Sequence, residues 1–251
     1  ATPVRVFAVE KNPNAVVTLQ GRCQREASWR DVTVVSCDMR EWESATLADM
    51  LVSELLGSWG DNELSPECLD GAQRYLKSDG ISIPVDYTSY VAPLASSKLW
   101  NEVKAFKDLA HFETPYVVKV HNAFEMAECQ SVFYFSHPAK TLKPDNTRFK
   151  KLSFSVPVGA TLHGFVGYFH STLYGDIHIS TEPSTLSVGM FSWFPLYLPL
   201  RHPVAVADGG TVEAHFWRHV SPHKVWYEWA ITEPCTSPIH NPNGRSNFIG
   251  L

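Results

Sequence analysis

The chain has 251 residues, of which 44% are hydrophobic and 19% charged, and a formal net charge of −5. This composition is ordinary for a soluble globular protein that is long enough to bury a sizeable core. The chain contains no basic cluster, no apolar run close to the roughly 18 residues that span a bilayer, and no basic-then-apolar start of a signal peptide. We therefore expect neither nucleic-acid nor membrane partners.

Cysteine usage predicts the compartment. The five cysteines form no Cys-x-x-Cys pair and are odd in number, which favours reduced thiols. We therefore expect a cytoplasmic and nuclear protein. The negative net charge mildly favours the approach of a basic partner.

The first predicted unit is a strand at residues 4–9 that ends at Glu10 and leads into a helix. Asn12 can cap that helix, and Pro13 can occupy its first turn. An acid at the tip of such a strand is where nucleotide-binding sheets hold the two hydroxyls of a ribose. Taken alone, Glu10 fits a solvated loop acid at least as well.

The second predicted strand, residues 32–35, also runs out into an acid, Asp38, with Met39 beside it. A carboxylate can accept the exocyclic amine of adenine, and a thioether packs softly against a flat ring. A helix N-cap followed by a core methionine explains the pair equally well. Recurrence favours a site, because Glu10, Asp38 and Glu54 all close strands of one predicted sheet.

The third predicted strand, residues 50–52, is followed by a loop with an acid near each end, Glu54 and Glu63. The Gly-Ser-Trp-Gly turn between them can fold the loop back, so that both carboxylates point into one cavity beyond the strand. Two converging carboxylates match the planar, always charged guanidinium of arginine. The alternative is an ion-paired loop without a catalytic role.

The remaining pattern divides the chain at Pro84. A helix at residues 64–76 and a strand at 81–84 complete a domain of residues 1–84. Residues 85–251 contain a strand at 87–94, a helical segment near 97–109 that we expect to cover its own core, and then seven short strands without intervening helices. Such strands are typical of a β-barrel or sandwich. The chain is thus α/β followed by β.

Several segments together resemble the catalytic half of the protein arginine methyltransferases, most closely the type II branch, which makes symmetric dimethylarginine. They are VEKNP at residues 9–13, SCDMREW at 36–42, SELLGSWGDNE at 53–63, LSPECLDG at 64–71, MFSWFP at 190–195 and GRSNFIGL at 244–251. The resemblance runs in order through nearly the whole chain. It implies a Rossmann-like domain that binds S-adenosylmethionine, followed by a β-barrel.

The resemblance also implies roles for individual residues. Glu10 would hold the ribose, Lys11 would help frame the cofactor, and Asp38 with Met39 would hold the adenine. Glu54 and Glu63 would be catalytic and hold the target guanidinium. In the FSW segment Trp193, with Ser192 beside it, would wall the arginine pocket.

The chain departs from the family at its start. The glycine-rich turn after the first strand is absent, because residue 1 lies at what would be the second strand. We therefore expect a truncated Rossmann-like domain and a fragment of a longer enzyme. Relatives imply homo-oligomers, Gly-Arg-rich substrates, and a WD-repeat adaptor that binds through a region absent here.

Two further points bear on the site. His215, His219 and His223 are spaced by four, but in strand and loop this spacing does not place ligands on one helical face, so we expect no metal. The tryptophans of the same region, at 217, 226 and 229, are expected in the barrel core. The competing function is a non-catalytic interaction module that keeps the fold.

Overall fold

The computed structural model describes residues 4–141 and 143–251. Its first unit is β1 (Val6–Glu10), α1 (Pro13–Arg25) and β2 (Val32–Ser36). The predicted cap of α1 is confirmed, since the Asn12 side chain accepts the amide of Asn14 at 3.0 Å. β1 and β2 pair in parallel and in register, so the two strands end at the same edge.

A second parallel pair is formed by β3 (Ala48–Val52) and β4 (Leu76–Ile83), with α2 (Ser65–Ala72) between them. Among the described residues this pair is not hydrogen-bonded to β1 and β2, so the prediction that Glu10, Asp38 and Glu54 close strands of one sheet is wrong. The helix predicted over residues 64–76 is α2, which is shorter. It ends at Ala72 in a short 3₁₀ turn, because Leu76 pairs with Ala48 and is buried. Tertiary pairing overrides the helical spacing here.

Two antiparallel sheets make up the rest. The seven-stranded sheet contains β5 (Asp86–Ala95), β6 (Tyr116–Val117), β7 (Phe124–Glu125), β8 (Gln130–Ser136), β10 (Ala160–Tyr174), β11 (Ile177–Ser180) and β12 (Leu196–Val206). The four-stranded sheet contains β9 (Arg148–Val156), β13 (Gly210–Val220), β14 (Lys224–Glu233) and β15 (Ile249–Gly250).

The two sheets face each other around one core, in which Phe154, Phe165, Phe216 and Trp229 are fully buried. Over residues 4–141 and 143–251 the strands do not close into one hydrogen-bonded barrel. The β-rich second part is confirmed in this coarser form.

The prediction that all three tryptophans of β13 and β14 lie in the core is wrong for two of them. Trp229 is fully buried, whereas Trp217 and Trp226 are only half-buried. In each strand the buried positions alternate with less buried ones, and Trp217 and Trp226 occupy the less buried face.

Sequence reasoning missed β12, which lies between β6 and β10 in its sheet. Pro199 and Pro203 lie within it, and proline ordinarily argues against a central strand. β6 pairs with β12 only at Leu196 and Tyr197, so both prolines lie where β10 is the one neighbouring strand among the described residues. The pairing with β10 skips at this point, from Leu162 opposite Val204 to Gly164 opposite Pro199. A bulge therefore accommodates a strand that contains prolines.

The predicted helix near residues 97–109 is α3 (Ser97–Lys104), followed by a 3₁₀ turn at Leu109–Glu113. Leu99 and Val103 pack with Val166 and Tyr197 on the outer face of the seven-stranded sheet, which confirms that the helix covers a core. In the described part of the chain, no helix is both long and apolar enough to cross a membrane.

Candidate active site

The loop of residues 53–63, here called the two-glutamate loop, connects β3 to the start of α2. Gly57 and Gly60 exchange backbone hydrogen bonds of 3.1 and 2.9 Å, which fold the loop back on itself. Gly60 has a φ of 86°, a conformation that favours glycine. This turn returns the chain, so that Glu54 and Glu63 stand at the two ends of one folded loop.

The environment of the Glu63 carboxylate includes the charge of Glu54. Both residues are exposed, and one Glu54 oxygen accepts the amide of Leu56 at 3.2 Å. Partial burial of the carboxyl group raises the pKa of Glu63, and the negative charge of Glu54 raises it further. A cation bound beside both carboxylates would offset this effect of Glu54 on Glu63.

The tip of the loop is anchored in the core of the two sheets. Trp59 is only 1% exposed, and its ring packs against Phe133 and Tyr227 at centroid distances of 5.4 and 5.2 Å. Its indole nitrogen donates to the Tyr90 carbonyl at 2.8 Å. The loop follows β3 of the first part of the chain, but its tip is therefore packed and hydrogen-bonded by residues of the second part.

Trp193 contacts the same loop. Its indole nitrogen donates to the Leu56 carbonyl at 2.6 Å, and its ring meets Phe169 edge-on at 5.8 Å. Ser192 is exposed beside it, and Phe191 is 85% exposed. The structure thus brings the predicted pocket wall to the loop that carries the two glutamates.

Sequence reasoning missed a buried ion cluster behind the loop. Arg218 of β13 is fully buried and donates to Asp61 in the loop and to Glu67 in α2. Burial opposes its charge, but Tyr227, Asp61 and Glu67 raise the pKa of Arg218 well above its usual value. One signal was present in the sequence, because Arg218 continues the inward-facing alternation of Val212, Ala214 and Phe216.

The predicted cofactor residues lie together at the shared edge of β1 and β2. The Cys37 amide donates to the Glu10 carbonyl at 3.1 Å, and the Asn12 amide donates to Glu10 Oε1 at 2.7 Å. Lys11 Nζ lies 3.4 Å from Asp38 Oδ2. The carbonyl of Met39 accepts the Tyr75 hydroxyl at 3.1 Å.

Asp38 has a partner that was not predicted. Arg40 donates to Oδ1 at 3.0 Å and to Oδ2 at 2.8 Å, and its amide also donates to Oδ1. The hydrogen bonds from Arg40 hold the pKa of Asp38 well below its usual range. Asp38 is therefore ionised at neutral pH and is held in one orientation.

Two cavities lie away from the two-glutamate loop. One, of about 190 Å³, is lined by Asp70, His137 and Arg148 among others. The other, of about 360 Å³, is lined by Phe7, Trp42 and their neighbours. We place the site at the two-glutamate loop because Glu54, Glu63 and Trp193 are the residues suited to bind a guanidinium. The size of a cavity does not indicate that chemistry.

The histidines of the second part have ordinary partners. His215 Nε2 lies 3.0 Å from the Thr232 hydroxyl, and His219 Nε2 lies 3.6 Å from Glu228 Oε2. Across residues 4–141 and 143–251, no three histidine, cysteine or acidic side chains are grouped as a metal site would require.

Comparison with known proteins gives two family matches. Residues 1–83 match the family described as PRMT5 arginine-N-methyltransferase, and residues 86–249 match the PRMT5 oligomerisation domain. Over 251 residues the chain is 56% identical to protein arginine N-methyltransferase 5 of Oryza sativa subsp. indica, covering 99% of the chain and 39% of that protein. The relative from Xenopus laevis is 54% identical over 254 residues, covering 99% and 40%. The chain spans about two fifths of the length of these curated relatives.

Solved structures share the fold. The Trypanosoma brucei PRMT1 enzyme-prozyme heterotetrameric complex with AdoHcy matches with a TM-score of 0.73 and 14% identity, over 98% of this chain and 81% of that one. Arabidopsis thaliana protein arginine methyltransferase 10 matches with a TM-score of 0.69 and 15% identity, over 94% and 80%. At these identities the likeness shows the fold alone, and it confirms the Rossmann-like part of the prediction.

Proposed function

The chain belongs to the PRMT5 arginine N-methyltransferase family, and we propose that the protein transfers methyl groups from S-adenosylmethionine to arginine guanidinium nitrogens of protein substrates. The observation that carries the proposal is the folded two-glutamate loop. Glu54 and Glu63 stand at its ends, and Trp193 is bonded to its backbone. Two carboxylates on one folded loop that also contacts an aromatic residue suit a planar cation.

In this proposal, Glu54 and Glu63 accept the N–H groups of the bound guanidinium. Its charge is spread over three nitrogens, and the carboxylates draw it toward the nitrogens that they contact. Electron density remains on the third nitrogen, which would form the new N–C bond. Bound S-adenosylmethionine would supply the methyl group from its positively charged sulfur, with the S–C bond breaking and S-adenosylhomocysteine leaving. The raised pKa of Glu63 suits it to accept the proton that the methylated nitrogen releases.

The edge of β1 and β2 fits a nucleotide-type donor. Within the part of the chain that the structure describes, Glu10 uses only Oε1 in a hydrogen bond, so Oε2 remains for ribose hydroxyls. Asp38 accepts four hydrogen bonds, three from Arg40 and one from Lys11, which matches the about four acceptor positions of a carboxylate. The adenine amine would therefore take the place of the exposed Lys11, whose 3.4 Å contact is the longest of the four. Met39 would pack against the base, and Lys11 would frame the same edge.

Three features of the whole protein belong to the same proposal. The first domain comprises residues 1–84 and the second 85–251, and the family matches at 1–83 and 86–249 support this division. The two facing sheets would be the family's β-barrel. The match of residues 86–249 to an oligomerisation domain supports self-association. We further propose a cytoplasmic and nuclear location, symmetric dimethylarginine as product, Gly-Arg-rich substrates and a WD-repeat adaptor.

Labelled methyl transfer tests the proposal. The full-length natural protein, incubated with S-adenosylmethionine carrying a labelled methyl group and a Gly-Arg-rich peptide, should form symmetric dimethylarginine. Glu54→Gln and Glu63→Gln should each reduce transfer at least a hundredfold, because removing one preorganised electrostatic contact costs about that much. Glu102→Gln is the matched control, since Glu102 is exposed on α3.

Each contrary result identifies a different error. No transfer by the unchanged protein would leave the interaction module as the better function. Full activity of the Glu54 and Glu63 variants would remove the carboxylates from the mechanism. Asymmetric dimethylarginine would contradict the type II product.

A further inference from the structure

Glu63 lies between two acids that are themselves anchored. Asp61 precedes it by two residues and Glu67 follows it by four, and both bind the same arginine, Arg218. Arg218 belongs to β13 of the four-stranded sheet, 157 residues from Asp61 along the chain. Arg218, a residue of the second predicted domain, thus binds the chain both before and after Glu63.

The contacts use the whole guanidinium fork. Nε donates to Asp61 Oδ2 at 2.6 Å, while Nη1 and Nη2 donate to the two oxygens of Glu67 at 2.8 and 2.9 Å. Nη1 also donates to the Asn146 carbonyl at 3.0 Å. Paired N–H donors in a rigid plane fix orientation as well as distance, which a single ammonium cannot do.

Asp61 is held from two more strands. The Tyr227 hydroxyl of β14 donates to Oδ2 at 2.6 Å, and the Ser89 hydroxyl of β5 is 2.9 Å from Oδ1. The same Ser89 oxygen lies 2.7 Å from the carbonyl of Trp59. Residues from both sheets therefore converge on the segment immediately before Glu63.

Burying this cluster is a costly way to stabilise a fold. Arg218 and Asp61 are both fully buried, and the desolvation of such charges commonly cancels their attraction. Well-packed apolar side chains would often stabilise a core at least as well. The fully hydrogen-bonded cluster instead fixes the orientation of Asp61 and Glu67 by directional contacts.

We propose that Arg218 is a positioning residue that, through Asp61 and Glu67, holds Glu63 where it contacts the substrate guanidinium. This inference rests on the proposed function of the same loop. Arg218 also occupies the two neighbouring carboxylates, so that Glu54 and Glu63 remain the acids available to the substrate. The second part of the chain thereby sets the geometry of a catalytic residue in the first.

The test uses Glu67→Gln and Arg218→Lys in the full-length natural protein. Each keeps much of the side-chain shape but removes part of the fork–carboxylate contact. We expect kcat for peptide methylation to fall about tenfold or more, because small misplacements of a reacting group have effects of this size. The affinity for S-adenosylhomocysteine, measured by calorimetry, should stay within twofold, because Glu10 and Asp38 are not part of the cluster.

The control is Glu113→Gln, which weakens another arginine–carboxylate pair, that of the buried Glu113 with the exposed Arg245. This pair lies outside the two-glutamate loop. We expect a lower melting temperature but a kcat within twofold of the unchanged protein. Rates are divided by the calorimetric number of cofactor sites, so that loss of folded protein does not count as loss of positioning.

Two outcomes would overturn the inference, and they differ. If the unchanged protein methylates normally and both variants keep kcat per site, Arg218 has only a structural role. If the unchanged protein transfers no methyl group, the proposed function fails and the positioning role fails with it. Faster amide exchange at Gly57 and Gly60 in Glu67→Gln would further support the role, and unchanged exchange would oppose it.

Discussion

At the scale of single residues, the proposed chemistry depends on the charge of Glu63. Burial and the neighbouring Glu54 both favour its protonated form and raise its pKa. A raised carboxyl pKa means that the ionised form, which binds a guanidinium, is lost at a higher pH than for an ordinary glutamate. Glu63 should therefore set the acid side of the activity profile.

As the pH is lowered, kcat/KM for peptide methylation should fall, because kcat/KM reports the ionisation of groups in the free enzyme. The midpoint of this fall should lie above the ordinary glutamate pKa of about 4.3. In Glu54→Gln the pKa of Glu63 should drop, because the repelling charge is gone. Peptide binding, measured by fluorescence since turnover is lost, should then persist to lower pH than in the unchanged protein. Identical pH midpoints for peptide binding in the two proteins would contradict this coupling.

At the scale of elements, the two-glutamate loop connects the first part of the chain to the core of the two facing sheets. Leu56 and Trp59 enter the core cluster of those sheets. Gly167 of β10 allows Trp59 to approach, since a Cβ at this position would lie 2.9 Å from Trp59 Cδ1 and Nε1. The absence of a side chain at residue 167 thus leaves the space that the Trp59 ring occupies.

Gly167→Ala should displace the Trp59 ring and lower the free energy of unfolding by about 1–3 kcal/mol, the usual cost of overpacking a core. Because Trp59 lies between the two glutamates, methyl transfer should fall as well. Urea unfolding and a turnover assay measure the two effects.

Gly250→Ala is the matched control for Gly167→Ala. A Cβ at Gly250 would meet no atom within 4 Å, so its free energy of unfolding should change by less than about 0.5 kcal/mol. If the two alanine variants prove equally stable, the close contact at Gly167 does not constrain Trp59.

At the scale of the whole molecule, the division at Pro84 in sequence does not coincide with the limits of the second core. Leu56 and Trp59 are 3% and 1% exposed within that core, although both precede Pro84. Arg218 likewise depends on Asp61 and Glu67 for its counter-charges. The second sheets therefore need part of the first domain to be complete.

A fragment of residues 85–251 should unfold at much lower urea concentration than a fragment of residues 53–251. The shorter fragment loses the burial of Trp59, worth about 3–5 kcal/mol, and leaves Arg218 without its two carboxylate partners. Since domains are stable by only about 5–15 kcal/mol, we expect it to be largely unfolded. Tryptophan fluorescence during urea titration measures both, and equal midpoints would show that the second part folds alone.

The local part of this structure could be predicted from the sequence. β1, β2 and β3 and the cap of α1 depend on neighbouring residues. Glu10 is the last residue of β1, and Asp38 and Glu54 follow β2 and β3, as the spacing indicated. The roles assigned to these acids remain predictions. β12 and the early end of α2 were missed because pairing with distant strands decided them.

By itself, the sequence determined the order of strands and acids, the loop with its two glutamates, and the family, because each of these depends on residues close together in the chain. Only the tertiary structure decided what holds that loop. Trp59 fills a core built by later strands, and Arg218 reaches Asp61 from 157 residues away. A buried charge needs opposite charges close to it in space. The sequence does not show which residues supply them, because the partners can be far apart along the chain.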